Sequence, residues 1–219
     1  VFAPVADVNN DPDNPVINVR SFGEQPEAVG RFVAATVAGL QEGGVLATLK
    51  HFPGHGDTNV DSHRSLPVLG VDRARLDAVE LVPFRAGLAA GARGVMTAHL
   101  AVPSLDPEPA PVLAAPIRTK DFTAEVTEVQ TAGTMPAVVS RPITTTLLRE
   151  ELGFRGLVFT DSMEMGGIVA HFEPGEAAVR VLEAGADVVL MPPDPRVAID
   201  AIVSAVETGR LPASRLDEA

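Results

Sequence analysis

Three histidines, two aspartates and a lysine lie within one short stretch of this chain, between positions 50 and 63. The stretch reads Lys50-His51-Phe52-Pro53-Gly54-His55-Gly56-Asp57 and is followed by Asp61-Ser62-His63. The run before it, 45–49, is apolar and partly β-branched, which predicts a buried strand. Because α/β folds bind ligands at the carboxyl ends of their strands, a polar cluster that begins where this strand ends predicts a functional site.

The histidines of this stretch allow two kinds of chemistry. Asp61 can hold His63 in one tautomer, which makes the pair a proton donor or acceptor suited to neutral pH. Alternatively, His51, His55 and His63 could bind zinc together with Asp57 or Asp61. Their spacing matches none of the familiar zinc motifs, and the helical His-Glu-x-x-His pattern is absent. We therefore expect no metal or other cofactor.

Other predicted strands also end in polar residues, namely Asp7, His99, Ser140 and Asp161. An aspartate in this position often caps the next helix instead of reacting, and a single histidine often serves only a structural hydrogen bond. Retaining glycosidases need a nucleophilic carboxylate and a proton donor on opposite sides of the anomeric carbon. Asp161 and the Asp61–His63 pair could fill these two roles if the strands bring them to one rim.

Composition excludes several classes of protein. The formal net charge is −12, which disfavours a nucleic-acid or anionic-membrane surface because phosphate binding relies on clustered lysine and arginine. With no cysteine, the chain has no disulfide and no thiolate ligand or nucleophile. The apolar runs are too short to span a bilayer, and no leader peptide is visible. We expect a soluble protein, and the sequence predicts neither whether it stays in the cytoplasm or is exported nor its oligomeric state.

Apolar runs and helical patterns alternate along the chain. Strands are predicted at 2–6, 45–49, 94–98, 136–140, 156–160 and 187–191, and the segments that follow them carry helical periodicity. Six strand-helix units in alternation predict an α/β fold with a parallel sheet and right-handed crossovers. Two architectures fit this pattern: a (β/α)8 barrel that lacks two units, and a complete doubly wound sheet.

The segment 104–134 interrupts this regularity. It is rich in Pro, Thr and Glu without a sustained period, which predicts an insertion or long loop with a local hairpin near 122–129. The chain otherwise reads as a single domain over 1–219. It opens directly on a strand and ends as another helix begins, so we expect a barrel that is truncated at both ends.

Four motifs of this chain resemble those of glycoside hydrolase family 3, in its β-N-acetylglucosaminidase branch, and they occur in the same order along the chain. One is the Lys50–His63 stretch described above. The others are Asn14-Pro15-Val16-Ile17-Asn18-Val19-Arg20-Ser21-Phe22-Gly23, Val95-Met96-Thr97-Ala98-His99 and Gly156-Leu157-Val158-Phe159-Thr160-Asp161-Ser162-Met163-Glu164-Met165. The resemblance covers most of the chain and is weakest in the 104–134 segment.

This resemblance implies a TIM-type (β/α)8 barrel that releases terminal, non-reducing β-linked N-acetylglucosamine with retention of configuration. The substrates would be muropeptide fragments, as in peptidoglycan recycling, or chitin oligosaccharides. The implied nucleophile is Asp161, which would form the glycosyl-enzyme, and the implied acid/base is His63, supported by Asp61. The residues implied to bind the sugar are Arg20, Lys50 and His51, with His99 and Met163 as further candidates.

The resemblance also sets limits on this interpretation. Members of the family carry two earlier barrel strands with an aspartate that holds the sugar, and no residue of this chain can be assigned that role. The alternatives are a β-glucosidase, a glycoside phosphorylase, a zinc-dependent hydrolase or a catalytically incomplete sugar-binding remnant. All but the zinc enzyme share one expected partner, a small carbohydrate.

Overall fold

A parallel β-sheet forms the centre of the protein in a computed structural model that describes residues 1–113 and 133–219. Its strands are β1 (Thr48–Phe52), β2 (Gly94–Thr97) and β3 (Leu157–Thr160), in the order β1-β2-β3. Thr48 pairs with Gly94, and Gly94 pairs with Leu157, so all three strands run in the same direction. The parallel sheet predicted from the alternating pattern is confirmed.

Two further segments extend this sheet at its edges. Val5 forms a parallel bridge with Lys50 beside β1, and Val188 forms one with Phe159 beside β3. The predicted strands at 2–6 and 187–191 are thus present as single bridges within extended chain. Among the described residues, no bridge joins these two edges to each other, and the truncation of the barrel stays a prediction.

Helices follow the strands and cover the sheet. They are α1 (Pro26–Glu42), α2 (Arg73–Ala78), α3 (Leu81–Ala89), a π-helix (Pro142–Glu151), α4 (Gly166–Val169), α5 (Pro174–Ala184), α6 (Pro195–Glu207) and α7 (Ala213–Glu218). Short 3-10 turns lie at Asn18–Arg20 and Ala137–Val139. Buried apolar side chains at helical spacing hold α1 against α3, and α3 packs in turn on β1.

The first residues of α2 and α3 are of types that favour the start of a helix. Asp72 caps α2 by accepting a hydrogen bond from the amide of Arg75. The helix is interrupted between α2 and α3. Pro83 lies in the first turn of α3, where its missing N–H costs no intrahelical hydrogen bond. The described helices include none that is both long and apolar enough to cross a membrane.

Two of the predicted strands were wrong in detail. The strand predicted at 45–49 begins at Thr48 and continues through Phe52, because β2 starts opposite Thr48 at Gly94 and Val5 bridges to Lys50, whereas Leu46 is exposed. Lys50 and His51 are therefore inside the strand and not beyond it. The strand predicted at 136–140 is the 3-10 turn Ala137–Val139, because burial alone does not distinguish a strand from a turn.

The segment from 114 to 132 lies outside the described residues. The hairpin predicted near 122–129 falls entirely within that range, as does most of the predicted insertion at 104–134. Outside that range, Pro109 and Thr134 form an antiparallel bridge.

Candidate active site

A cavity of about 250 Å³ opens at the carboxyl ends of the strands. Its polar lining comes from several segments: the 3-10 turn, β1, the loop after β1 and the loop after β3, which supply Arg20, Lys50, His51, His55, Ser62, His63, Asp161 and Ser162. Its volume is just below the roughly 300–1,000 Å³ typical of small-molecule pockets, which suits one sugar ring. Five of the predicted site residues therefore line one cavity: Arg20, Lys50, His51, His63 and Asp161.

Asp7 is a fully buried carboxylate beneath this cavity. Its Oδ2 lies 2.7 Å from Nδ1 of His51, and its Oδ1 accepts hydrogen bonds from the backbone amides of His55 at 2.7 Å and His51 at 3.1 Å. Burial works to raise the pKa of Asp7, but the side chains of His51 and His55 and the amide of His55 outweigh it and leave the pKa lowered. Asp7 is therefore ionised, and it fixes both histidines at once.

These bonds determine the tautomer of His51. Because Asp7 accepts, Nδ1 of His51 carries the proton, and Nε2 is left as an acceptor. Nε2 lies 3.4 Å from a guanidinium nitrogen of Arg20, which can donate to it. The carboxylate, the imidazole and the guanidinium thus form a chain from the buried interior to the cavity, and this chain orients two of the three predicted sugar-binding residues, His51 and Arg20.

Asp161 follows β3 directly and is partly buried. Burial works to raise its pKa, but His51, His99, the amide of Ser162 and Lys50 together lower it below the ordinary value. Burial and the nearby Arg20 in turn lower the pKa of Lys50, against the opposing effect of Asp161 and Asp7. Asp161 is accordingly held as a carboxylate.

The carboxylate of Asp161 also has a defined orientation. Its Oδ1 accepts a hydrogen bond from the amide of Ser162 at 2.8 Å, and among the described residues no hydrogen bond is found to Oδ2. Asp161 does not cap a helix, because α4 begins five residues later with Met165 in the N-cap position. Of the two sequence interpretations, helix capping is not observed.

His63 pairs with Asp61 as predicted. Its Nδ1 lies 2.7 Å from Oδ1 of Asp61, which also accepts a hydrogen bond from the His63 amide at 2.9 Å. The His63 side chain is 40% exposed and the Asp61 side chain 31%, so solvent and substrate can both reach the pair. Asp61 itself is not among the residues that line the cavity and contacts it only through His63.

His55 is the one histidine of the 50–63 stretch to which the family resemblance gave no role. It is buried, and its Nδ1 bonds to Oγ1 of Thr58 at 2.7 Å, while that hydroxyl donates to the His55 carbonyl. Burial lowers the pKa of His55 to about 4, although Asp7 opposes the shift. The imidazole is therefore neutral at neutral pH and braces the loop after β1.

This buried imidazole makes the stability of the protein depend on pH. The unfolded chain takes up a proton near pH 6.5, whereas folded His55 takes one up only near pH 4, so protons favour unfolding between these values. We expect His55 to reduce the free energy of unfolding by about 2 kcal/mol between pH 7.5 and pH 5. Denaturant unfolding of the wild type and of His55→Gln at both values would measure this, and an equal loss in both proteins would contradict the prediction.

Three other candidates lie apart from the cavity. His99 is buried, and its Nε2 donates to the carbonyl of Ser162 at 2.7 Å, so it supports the residue beside Asp161 and does not line the cavity. Met163 is 2% exposed and packs in the hydrophobic core, whereas Met165 lines the cavity. Ser140 donates to Asp106 at 2.6 Å in a buried contact.

The loops around the site are tied to each other through Asn14 and Gly56. The side-chain amide of Asn14 donates to the carbonyls of His55 and Gly56, and its oxygen accepts from the amides of Val16 and Ile17. A Cβ on Gly56 would overlap the carbonyl of Val8, so only glycine permits this approach. The sequence motif that contains Arg20 is thereby attached to the one that contains His51.

The histidines are engaged in these bonds through Nδ1. Their partners are Asp7 for His51, Thr58 for His55 and Asp61 for His63. Within residues 1–113 and 133–219, no group of three or more His, Cys, Asp or Glu side chains is placed to hold a metal ion. The arrangement instead offers one carboxylate, one exposed imidazole–carboxylate pair and several hydrogen-bond donors around a small cavity.

A larger cavity of about 960 Å³ opens at the opposite end of the strands. Residues that precede the strands line it, among them Leu46, Arg93 and Gly156, and it contains none of the predicted site residues. In barrels and open α/β sheets, chemistry takes place at the carboxyl ends of the strands. The smaller cavity is therefore the candidate active site.

Comparisons of this chain with known proteins agree on one family. The family model described as "Glycosyl hydrolase family 3 N terminal domain" matches residues 1–219. Beta-hexosaminidase A from Pseudoalteromonas piscicida is 42% identical over 193 residues, which are 87% of this chain and 30% of that protein. The chain spans about half the length of several other curated relatives named beta-hexosaminidase.

Solved structures agree on the fold. A glycoside hydrolase family 3 beta-N-acetylglucosaminidase from Paenibacillus sp. str. FPU-7 superposes with a TM-score of 0.85 at 43% identity, over 99% of this chain and 37% of that one. A structure named Beta-glucoside phosphorylase BglX has a TM-score of 0.85 at 27% identity, over 100% of this chain and 36% of that one. The predicted TIM-barrel-type α/β fold is confirmed at this level.

Proposed function

Because this chain belongs to the glycosyl hydrolase family 3 N-terminal domain family, we propose that it is a retaining glycosidase that releases terminal β-linked N-acetylglucosamine. One observation carries the proposal: Asp161 and His63 line the same sugar-sized cavity as Lys50, His51 and Arg20. The relatives named beta-hexosaminidase support the choice of sugar. Muropeptide fragments and chitin oligosaccharides are the proposed substrates.

The proposed mechanism has two displacements. In the first, Oδ2 of Asp161 attacks the anomeric carbon while His63 gives a proton to the departing glycosidic oxygen, which yields a glycosyl-aspartate. In the second, His63 takes a proton from water, and this water displaces the aspartate with net retention. Asp61 stabilises the imidazolium form of His63, which donates the proton in the first step and is regenerated when the neutral imidazole takes a proton from water in the second.

The surrounding residues serve this mechanism by electrostatics and orientation. Lys50 helps to keep Asp161 ionised, since it is a nearby positive charge, and it can donate hydrogen bonds to sugar hydroxyls. Arg20 can donate hydrogen bonds to the same sugar ring and His51 can accept them. Both side chains are held in place by the chain of hydrogen bonds that starts at Asp7. A histidine acid/base also leaves the site without a second permanent carboxylate beside the nucleophile.

Turnover of aryl β-N-acetylglucosaminides by the 219-residue chain tests the proposal. We expect release of N-acetylglucosamine, little activity on the matching β-glucosides, and no loss on treatment with a chelator. In His63→Ala, substrates with poor leaving groups should lose roughly 10²- to 10⁴-fold in kcat/KM, and activated ones far less, because only the former need protonation. Binding of N-acetylglucosamine without turnover would contradict the proposal and indicate a sugar-binding remnant.

A phosphorylase is the second candidate, because one similar structure is named as such. In that reaction inorganic phosphate would replace water in the second displacement and give a sugar phosphate. Product analysis with and without phosphate separates the two functions: formation of N-acetylglucosamine 1-phosphate as the main product would favour the phosphorylase.

A further inference from the structure

The loop that carries His63 is docked onto the segment that follows Asp161. The amide of Gly166 donates to the His63 carbonyl at 2.9 Å, and the amide of Gly167 donates to the Ser62 carbonyl at 3.0 Å. Both amides belong to the first turn of α4, so they have no partner within the helix and are available for this contact. The loop that bears the imidazole is thereby joined to the strand connection that bears the carboxylate.

This contact needs glycine. A Cβ on Gly166 would overlap the carbonyl of Arg64 and lie 2.8 Å from the carbonyl oxygen of His63. A Cβ on Gly167 would lie 2.9 Å from Cβ of His99 and 3.2 Å from the Ser62 carbonyl oxygen. The obstacles to both are backbone atoms or a Cβ, which cannot rotate away, so any side chain here pushes the loop off.

Hydrogen bonds within residues 61–65 hold the His63 loop together. The carbonyl of Asp61 accepts from the amides of Arg64 and Ser65, and the Asp61 side chain holds both the amide and Nδ1 of His63. Bonds within residues 61–65 therefore orient the imidazole. What the two glycine contacts add is the position of that unit relative to Asp161.

We infer that Gly166 and Gly167 are positioning residues that set the separation between the acid/base His63 and the nucleophile Asp161. The inference rests on the proposed function for the roles of these two side chains. It explains why the nucleophile segment continues into two successive glycines, and it makes the His63 loop an element with a defined docked state.

The decisive variant is Gly166→Ala, compared with His63→Ala and with Gly39→Ala. Gly39 lies in α1 with no atom within 4 Å of an added Cβ, so it receives the same chemical change without a clash. For Gly166→Ala we expect kcat/KM on a poor leaving group to fall roughly 10²-fold and to change little on an activated one. Gly39→Ala should match the wild type on both substrates.

Azide gives a readout that a merely structural defect does not produce. When His63 is displaced, activated substrates still form the glycosyl-enzyme but hydrolyse it slowly, because water lacks its base. Azide needs no base, so it should raise turnover of Gly166→Ala and yield the β-glycosyl azide, as in His63→Ala. A folded Gly166→Ala protein with the leaving-group dependence and azide response of the wild type would overturn the inference.

Hydrogen exchange on the wild-type chain tests the docking without any variant. The amides of Gly166 and Gly167 should be protected, and exchange at the rate of free amides would overturn the inference even if Gly166→Ala failed to fold. The milder Gly167→Ala should show the same kinetic pattern to a smaller degree. A wild-type chain without turnover would contradict the proposed function, whereas an active wild type with an unaffected Gly166→Ala would contradict the inference alone.

Discussion

Replacing Asp161 with Ala is expected to lower turnover of an aryl β-N-acetylglucosaminide roughly 10⁴- to 10⁶-fold, the loss seen when a covalent nucleophile is removed. The carboxylate is held ionised in the cavity, and no other aspartate or glutamate lines it among the described residues. The loss should appear with good and poor leaving groups alike, because the first displacement itself is blocked. This uniformity distinguishes Asp161 from His63.

The stereochemistry of azide rescue sharpens this test. In Asp161→Ala, azide can enter the space left by the carboxylate and displace the leaving group once, which inverts the anomeric centre and gives the α-glycosyl azide. In His63→Ala, two displacements remain, and the β-glycosyl azide is expected. Formation of the β product by Asp161→Ala would contradict its role as nucleophile.

The control for Asp161→Ala is an aspartate far from the site. Asp200 is exposed on α6, so Asp200→Ala shortens the same side chain and removes the same charge without touching the cavity. It should retain wild-type turnover. Circular dichroism and thermal unfolding of both variants would show that any loss in Asp161→Ala is chemical and not a failure to fold.

Much of this site could be predicted from the sequence. Asp161 follows β3, and Lys50 and His51 lie in the second half of β1, so one rim could be predicted for all three because parallel neighbours expose their carboxyl ends on the same side. The pairing of Asp61 with His63 could also be predicted, since a separation of two residues in a turn brings an aspartate and a histidine together. These predictions depend on local spacing and strand direction, which a single sequence carries.

What the sequence did not predict depends on contacts between distant segments. Asp7 bonds to residues more than forty positions away, and in the sequence it looks like any aspartate that ends a strand. Gly56 permits close approach to the carbonyl of Val8, which the local sequence around it does not predict. The start of β1 likewise depends on where its neighbours begin. Such features are decided by tertiary packing, which overrides local preference.

The variant Asp7→Asn tests the part of the site that was not predicted from the sequence. The amide would present a donor to Nδ1–H of His51, so the imidazole would have to move its proton to Nε2, where it would meet the donors of Arg20. We expect the free energy of unfolding to fall by about 3 kcal/mol, since buried partners of a lost charge become unsatisfied. We also expect kcat/KM to fall roughly 10²-fold or more, because a wrong tautomer misdirects a site histidine.

Sugar binding by the folded Asp7→Asn variant distinguishes an orienting role of Asp7 from simple destabilisation. If Asp7 acts through His51 and Arg20, the variant should lose sugar affinity at temperatures where it remains fully folded. Asp7→Asn combined with His51→Gln should then lose little more than either change alone, because both break one chain of hydrogen bonds. Asp13→Asn, an exposed change in the loop that follows, should be neutral. Additive losses in the double variant would show that Asp7 stabilises the fold without orienting His51, and the link from the buried carboxylate to the sugar would have to be abandoned.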